Sequence, residues 1–164
     1  MVTFWGSDSV LIQQQRANRI AIEIANLRGR VERVKIEASI DNSEVPTSTI
    51  DTEEFPGRYF EHHVNVLLGS NSDLDFLTFL ATENDARLSQ NIRRRRADGQ
   101  SERFLTQRVF RNGRYIARTK LTGLLDQLAD ANIQILDIEE EYVLYDSHIM
   151  LDSGWLEPKG EMKQ

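Results

Sequence analysis

At 164 residues, with 40% hydrophobic and 28% charged residues, three Pro and nine Gly, the chain has the composition of one globular domain with its own core. The absence of Cys excludes disulfides and thiolate metal sites, no apolar run approaches the ~20 residues of a membrane span, and the start MVTFWGSDSV lacks the basic and apolar regions of a secretory signal. A soluble, cytoplasmic protein is expected, and its net charge of −6 opposes non-specific attachment to nucleic acid.

Residues 7–28 place Ala17, Ile20, Ala21, Ile24 and Leu27 at helical spacing, with Ser7 or Ser9 as a cap and Gly29 where a terminating glycine belongs. Ile20, Ile22 and Ile24 also alternate, which would suit a hairpin into the next segment, but the Gln, Arg, Ala and Leu content favours the helix. In residues 31–40, Val34, Ile36, Ala38 and Ile40 share one face of a strand. Residues 41–57 are polar, hold two of the three Pro and form the longest loop, the best candidate for mobility.

From Arg58 the elements follow closely. Residues 59–68 (YFEHHVNVLL) read as a strand, 69–73 as a turn, and Ser72 or Asp73 as the cap of a helix to about 84. Extended runs at 86–96 and 102–111 are joined through Asp98-Gly99, a hairpin signal. A helix over about 115–131 carries Ile116, Leu121, Leu124, Leu125 and Leu128 on its apolar face, and 133–146 is the last strand. The tail, 147–164, has Trp155 as its anchor.

This order, βαββαβ, predicts a single α+β domain over 1–164: an N-terminal helix and strand extension (1–57), a ferredoxin-like core (58–146) with strand order 4-1-3-2 and two helices on one face, and the tail. The other face would be covered by the extension or, failing that, by a second subunit in a homodimer burying Phe104, Phe110 and Leu67. The fold itself carries almost no functional weight.

Alternation sorts the strands. His62, Val64, Val66 and Leu68 point toward the helices, as do Leu88, Ile92, Leu105, Val109, Leu136, Ile138, Tyr142 and Leu144, with Glu140 as the polar exception. The open face then holds Glu61, His63 and Asn65, beside Asp137, Glu139, Glu141 and Tyr145 on one flank. On the other flank stand Phe104, Thr106, Arg108 and Phe110, then Ser89, Asn91 and Arg93.

Such a face supports three readings. Cross-strand ion pairs on a solvated sheet, at ~0.2–1 kcal/mol each, need no function. A binding or regulatory module would use His63, Asn65, Arg93 and Arg108 for a small anionic, phosphate-bearing ligand, because guanidinium forks match phosphate oxygens. A phosphohydrolase or phosphotransferase would place Mg²⁺ or Mn²⁺ on Glu61, His63 and Glu139, with Glu141 as a further candidate and His63 able to act as general acid. The binding module requires the fewest assumptions about register. A structural homo-oligomer is the remaining alternative.

Other features carry less. The run RRRR at 93–96 fits a solvated turn better than a nucleic-acid contact, since the central strand offers Glu61, His63 and Asn65 where RNA-binding sheets of this type carry stacking aromatics. Asp146, Ser147 and His148 are adjacent in sequence and cannot form a relay, so local side-chain bonds ending the strand are expected. The charged alternation superficially resembles the strands of triphosphate-tunnel enzymes, which begin Glu-x-Glu-x-Lys. Here Glu32, Lys35 and Glu37 have another spacing, and the sheet is too small for a tunnel.

Overall fold

The computed structural model describes residues 2–52, 55–69, 74–89 and 92–152. Ser72, Asp73, Asn91 and Trp155, to which the sequence assigned roles, lie outside the described residues. The chain divides into two compact units, 38–143 and a smaller one made of 1–37 with 144–164.

The described residues form a mixed α+β structure with an antiparallel sheet of order β1-β6-β2-β5-β3, in which β4 also pairs with β5. The strands are β1 (Lys35–Ser39), β2 (Tyr59–Leu68), β3 (Ala86–Leu88), β4 (Arg94–Arg95), β5 (Ser101–Phe110) and β6 (Gln134–Asp146). The helices are α1 (Val10–Asn26), α2 (Leu74–Glu83) and α3 (Arg114–Asp130). None of the described helices is long and apolar enough to cross a membrane.

In the larger unit, β2 and β5 pair along their full length, from Tyr59 opposite Phe110 to Leu68 opposite Ser101. Val64, Val66 and Leu68 of β2, Leu88 and Leu105 pack with Leu77, Leu80 and Ala81 of α2 and with Leu121, Leu124 and Leu128 of α3. Both helices therefore cover the face that alternation assigned to them. At ~25 cal/mol per Å² of apolar surface, this layer is the main source of stability.

Three local features differ from the sequence expectation. The run 86–96 is interrupted, and β3 and β4 pair with β5 as separate short strands. A bulge in β6 moves its pairing from Asp137 opposite Asn65 to Ile135 opposite Val66, skipping Leu136. Ile133 and Ile135, not Leu136, then pack on the core.

The third difference is the loop after β1. Val45, Pro46 and Thr52 are buried, and the Asp51 carboxylate accepts from the Thr47 and Ser48 amides at 3.2 and 2.9 Å. The Arg114 amide donates to the Pro46 carbonyl at 2.9 Å. Gly113 lies so close to the loop that a Cβ there would sit 2.5 Å from the Thr47 carbonyl oxygen. A segment whose composition suggested mobility is thus pinned to the start of α3.

In the smaller unit, α1 ends in a Schellman arrangement: Arg28 donates to the Ala25 carbonyl and Gly29 to that of Ile24. The left-handed position falls on Arg28, with φ 62°, one residue before the glycine expected there. Asp146, Ser147 and His148 tie the chain to residues 32–34. Asp146 accepts from Arg33 Nε at 2.9 Å, Ser147 Oγ accepts from the Val34 amide at 2.8 Å, and His148 Nδ1 lies 3.1 Å from the Glu32 carbonyl.

Candidate functional site

The face of β2 opposite the helices brings charged groups together by register. Glu61 stands between Arg108 of β5 and Glu141 of β6, and His63 between Thr106 and Glu139. This face is not open at its centre, where Tyr59, Glu61, Asn65 and Leu67 are buried. Long neighbours lie across it: the Arg108 guanidinium is 5.2 Å from the centre of the Tyr59 ring, and that of Arg93 is 4.8 Å from the centre of Phe104.

Arg108 Nε donates to Glu61 Oε1 at 2.7 Å, with both side chains at most 5% exposed. The charge-assisted bond fixes the carboxylate and leaves its Oε2 turned toward His63. His63 Nε2 is 3.5 Å from that oxygen and 3.8 Å from Glu141 Oε2, both longer than a good hydrogen bond. On the other side of the ring, Nδ1 is 3.0 Å from Thr106 Oγ1.

This arrangement has a definite chemical meaning. If Nδ1 carries the proton and donates to Thr106, three lone-pair-bearing atoms face one another. If Thr106 donates to Nδ1, the Nε2 proton points at the two carboxylates. Donor atoms of Glu61, His63 and Glu141 all lie within 4.8 Å of one another. Ligands held ~2.1 Å from one ion stand roughly 3–3.5 Å apart, so small side-chain shifts would suffice. His63 and Glu141 are 24% and 30% exposed, which leaves the cluster reachable from solvent, whereas Glu61 is fixed from beneath.

Of the expected metal-ligating residues, Glu61 and His63 meet. Glu139 stands opposite His63 in the ladder but is exposed and is not part of this group, whose third member is Glu141. Of the expected anion-binding residues, Arg108 is committed to Glu61, while Arg93 is exposed beside Asn65. With the Asn65 amide oriented to satisfy both its ends, its oxygen accepts from Arg93 Nη1 at 2.8 Å and its nitrogen donates to the Arg103 carbonyl at 3.3 Å. Phe104 joins the two regions, its ring meeting His63 edge-on at 6.0 Å between centroids. Thr106 was placed on this face by alternation, but its orienting contact with His63 required the register.

The neighbouring histidine has the opposite character. His62 is fully buried on the helix side, with Nδ1 2.9 Å from Gln107 Oε1. Gln107 Nε2 donates to the Asn84 carbonyl at 2.8 Å and to that of Lys120 at 3.3 Å. The Gln107 oxygen must then accept, so His62 carries its proton on Nδ1. Its Nε2 has no hydrogen-bond partner among the described residues. Burial lowers the His62 pKa, against an opposing contribution from the Gln107 bond.

Comparison with known protein families, with curated proteins and with solved structures finds no significant match for this chain.

Proposed function

We propose that the protein is a small-ligand binding module whose site is the Glu61–His63–Glu141 cluster, and that this cluster takes a divalent cation, Mn²⁺ or Mg²⁺. The observation that carries the reading is the setting of His63: Nδ1 is held by Thr106, and Nε2 faces two carboxylate oxygens at 3.5 and 3.8 Å. A ligating His whose second nitrogen is fixed by a polar partner is the usual design of a metal site. One His with two carboxylates suits Mn²⁺ better than Mg²⁺, which prefers oxygen alone. Three protein donors would leave positions on the ion for an anionic ligand, and Arg93, exposed and hydrogen-bonded to Asn65, is the guanidinium proposed to meet it. A cytoplasmic setting and a single domain with a ferredoxin-like core belong to the same proposal. The latter is supported by the order β6-β2-β5-β3 and by both α2 and α3 packing on one face.

The test is a titration of the purified chain with MnCl₂, MgCl₂ and ZnCl₂, read as melting temperature and as heat of binding. Saturable stabilisation by Mn²⁺ that disappears in Glu141→Gln and His63→Gln is expected. No stabilisation by any of the three ions would refute the cation site. Stabilisation by inorganic phosphate alone, lost in Arg93→Ala, would favour an anion-binding module without metal. Phosphate release from p-nitrophenyl phosphate that requires Mn²⁺ and Glu141 would extend the reading to a phosphohydrolase, in which an ion held by Glu61, His63 and Glu141 would supply activation of the attacking water as p-nitrophenolate leaves.

A further inference from the structure

Strand β6 has 13 residues, and β1 beside it has five. The Ser147 amide donates to the Val34 carbonyl at 2.9 Å, so β1 starts next to the end of β6 and, running antiparallel, stops short of its middle. Among the described residues, no strand therefore lies outside Asp137–Glu139, whose other edge is paired with β2. The Ile138 amide accordingly finds a side chain in place of a strand: it donates to the adjoining Asp137 carboxylate at 3.0 Å. Asp137 and Glu139 are exposed, and Ile138 between them is 40% exposed. Arg118 engages Glu140 on the helix side at 3.2 Å, whereas Asp137 and Glu139 meet no cation among the described residues. In the chain itself no Lys or Arg occurs between Lys120 and Lys159.

We infer that this edge takes an extended basic segment of a partner protein as an added strand, with Lys or Arg opposite Asp137 and Glu139 and an apolar residue beside Ile138. Strand addition draws affinity from main-chain hydrogen bonds and specificity from alternate side chains. Along β6, Asp137 and Glu139 lie on one face of the sheet and Ile138 on the other, so the incoming strand must alternate basic and apolar residues. Its carbonyl replaces Asp137 at the Ile138 amide and frees that carboxylate for a cation. A second copy is disfavoured as the occupant, because two β6 edges would bring like acids face to face. The same charge rejects an acidic strand or a nucleic acid. The inference does not depend on an ion at His63.

The experiment uses the full chain and three fluorescein-labelled peptides of about nine residues, the length of an ordinary strand. Two alternate Val with Lys or with Glu. The third is the Lys peptide with an N-methyl group on every backbone amide, which keeps the charge and removes strand pairing. Fluorescence anisotropy should show the unmethylated Lys peptide binding at least about tenfold more tightly than the other two, with affinity falling as salt is raised. Hydrogen exchange at the Ile138 amide should slow when it binds, and Asp137→Lys/Glu139→Lys should transfer the preference to the Glu peptide. Equal affinity for the methylated peptide would overturn the inference, since charge alone would then account for binding. So would failure of the Lys peptide to bind, unchanged exchange at Ile138, or a preference that survives the charge reversal. A dimer in sedimentation that the double variant dissociates would overturn it too, since a second copy would then occupy the edge.

Discussion

Arg108 donates to Glu61 across the β2–β5 ladder at 2.7 Å, and both side chains are buried. The pair is a support for His63 as well as an ion pair, because it decides which oxygen of Glu61 faces the imidazole. Replacing Arg108 by Ala should cost about 3–5 kcal/mol, since it leaves a buried carboxylate without its cation. Glu61→Gln should be milder, because the amide oxygen can still accept from Arg108. Chemical denaturation of both variants measures the difference, and a loss of less than about 1 kcal/mol in Arg108→Ala would mean that the pair contributes no more than packing. Glu61→Gln should also abolish the Mn²⁺ shift while the fold survives, which separates the two roles of the carboxylate.

His62 predicts a pH dependence of stability. Its pKa in the folded state lies below its ordinary value of 6.5, chiefly because burial disfavours the imidazolium. The unfolded chain then takes up a proton near pH 6.5 that the folded chain refuses until lower pH. The stability contributed by neutral His62 is complete above this value and is lost as pH falls below it, down to the folded pKa. The slope from this group should reach at most about 1.4 kcal/mol per pH unit. Urea denaturation between pH 7.5 and 5 should show a smaller slope in His62→Gln than in the unsubstituted chain. Parallel slopes would assign the effect to other groups.

The face of each residue on β2 was legible in the sequence because a strand alternates, and the apolar set Val64, Val66 and Leu68 left Glu61, His63 and Asn65 to the other side. What alternation could not give was register. Only the pairing shows that Arg108 meets Glu61, and only the side-chain positions show that Glu141, not the Glu139 opposite His63, joins the two donor atoms. The bulge at Leu136 was illegible for a related reason, since either Ile135 or Leu136 would satisfy an apolar inward position. The burial of Glu61 and Asn65 was likewise hidden, because charge on an outer face reads as solvation until long neighbours such as Arg93 and Arg108 are seen lying over it.

Gly113 tests the pinned loop. A Cβ there would meet backbone atoms of Thr47 and Ser48 at 2.5–2.6 Å, and backbone cannot swing aside as a flexible side chain can. Gly113→Ala should therefore destabilise the chain by about 1–3 kcal/mol through overpacking. It should also raise amide exchange at Arg114, whose N–H bond to the Pro46 carbonyl depends on the same approach. Unchanged stability and exchange would show that the loop yields, and that its contact with α3 contributes little.

Thr106 offers the most selective test of the cation site, because it touches His63 without being a proposed ligand. Its hydroxyl lies 3.0 Å from Nδ1, and Thr106→Val keeps the shape while removing the partner. If a cation occupies the cluster, loss of this contact should weaken Mn²⁺ binding about 10–100-fold, as losses of such orienting partners do. Melting temperature without metal should change little, since the ring also packs edge-on against Phe104. Nitrogen NMR of the unsubstituted protein should show the proton on Nδ1 of His63 when diamagnetic Zn²⁺ is bound. A proton on Nε2 under those conditions would place the ion elsewhere. Undiminished Mn²⁺ affinity in Thr106→Val would mean that the two carboxylates alone hold the metal and that Thr106 serves only the sheet.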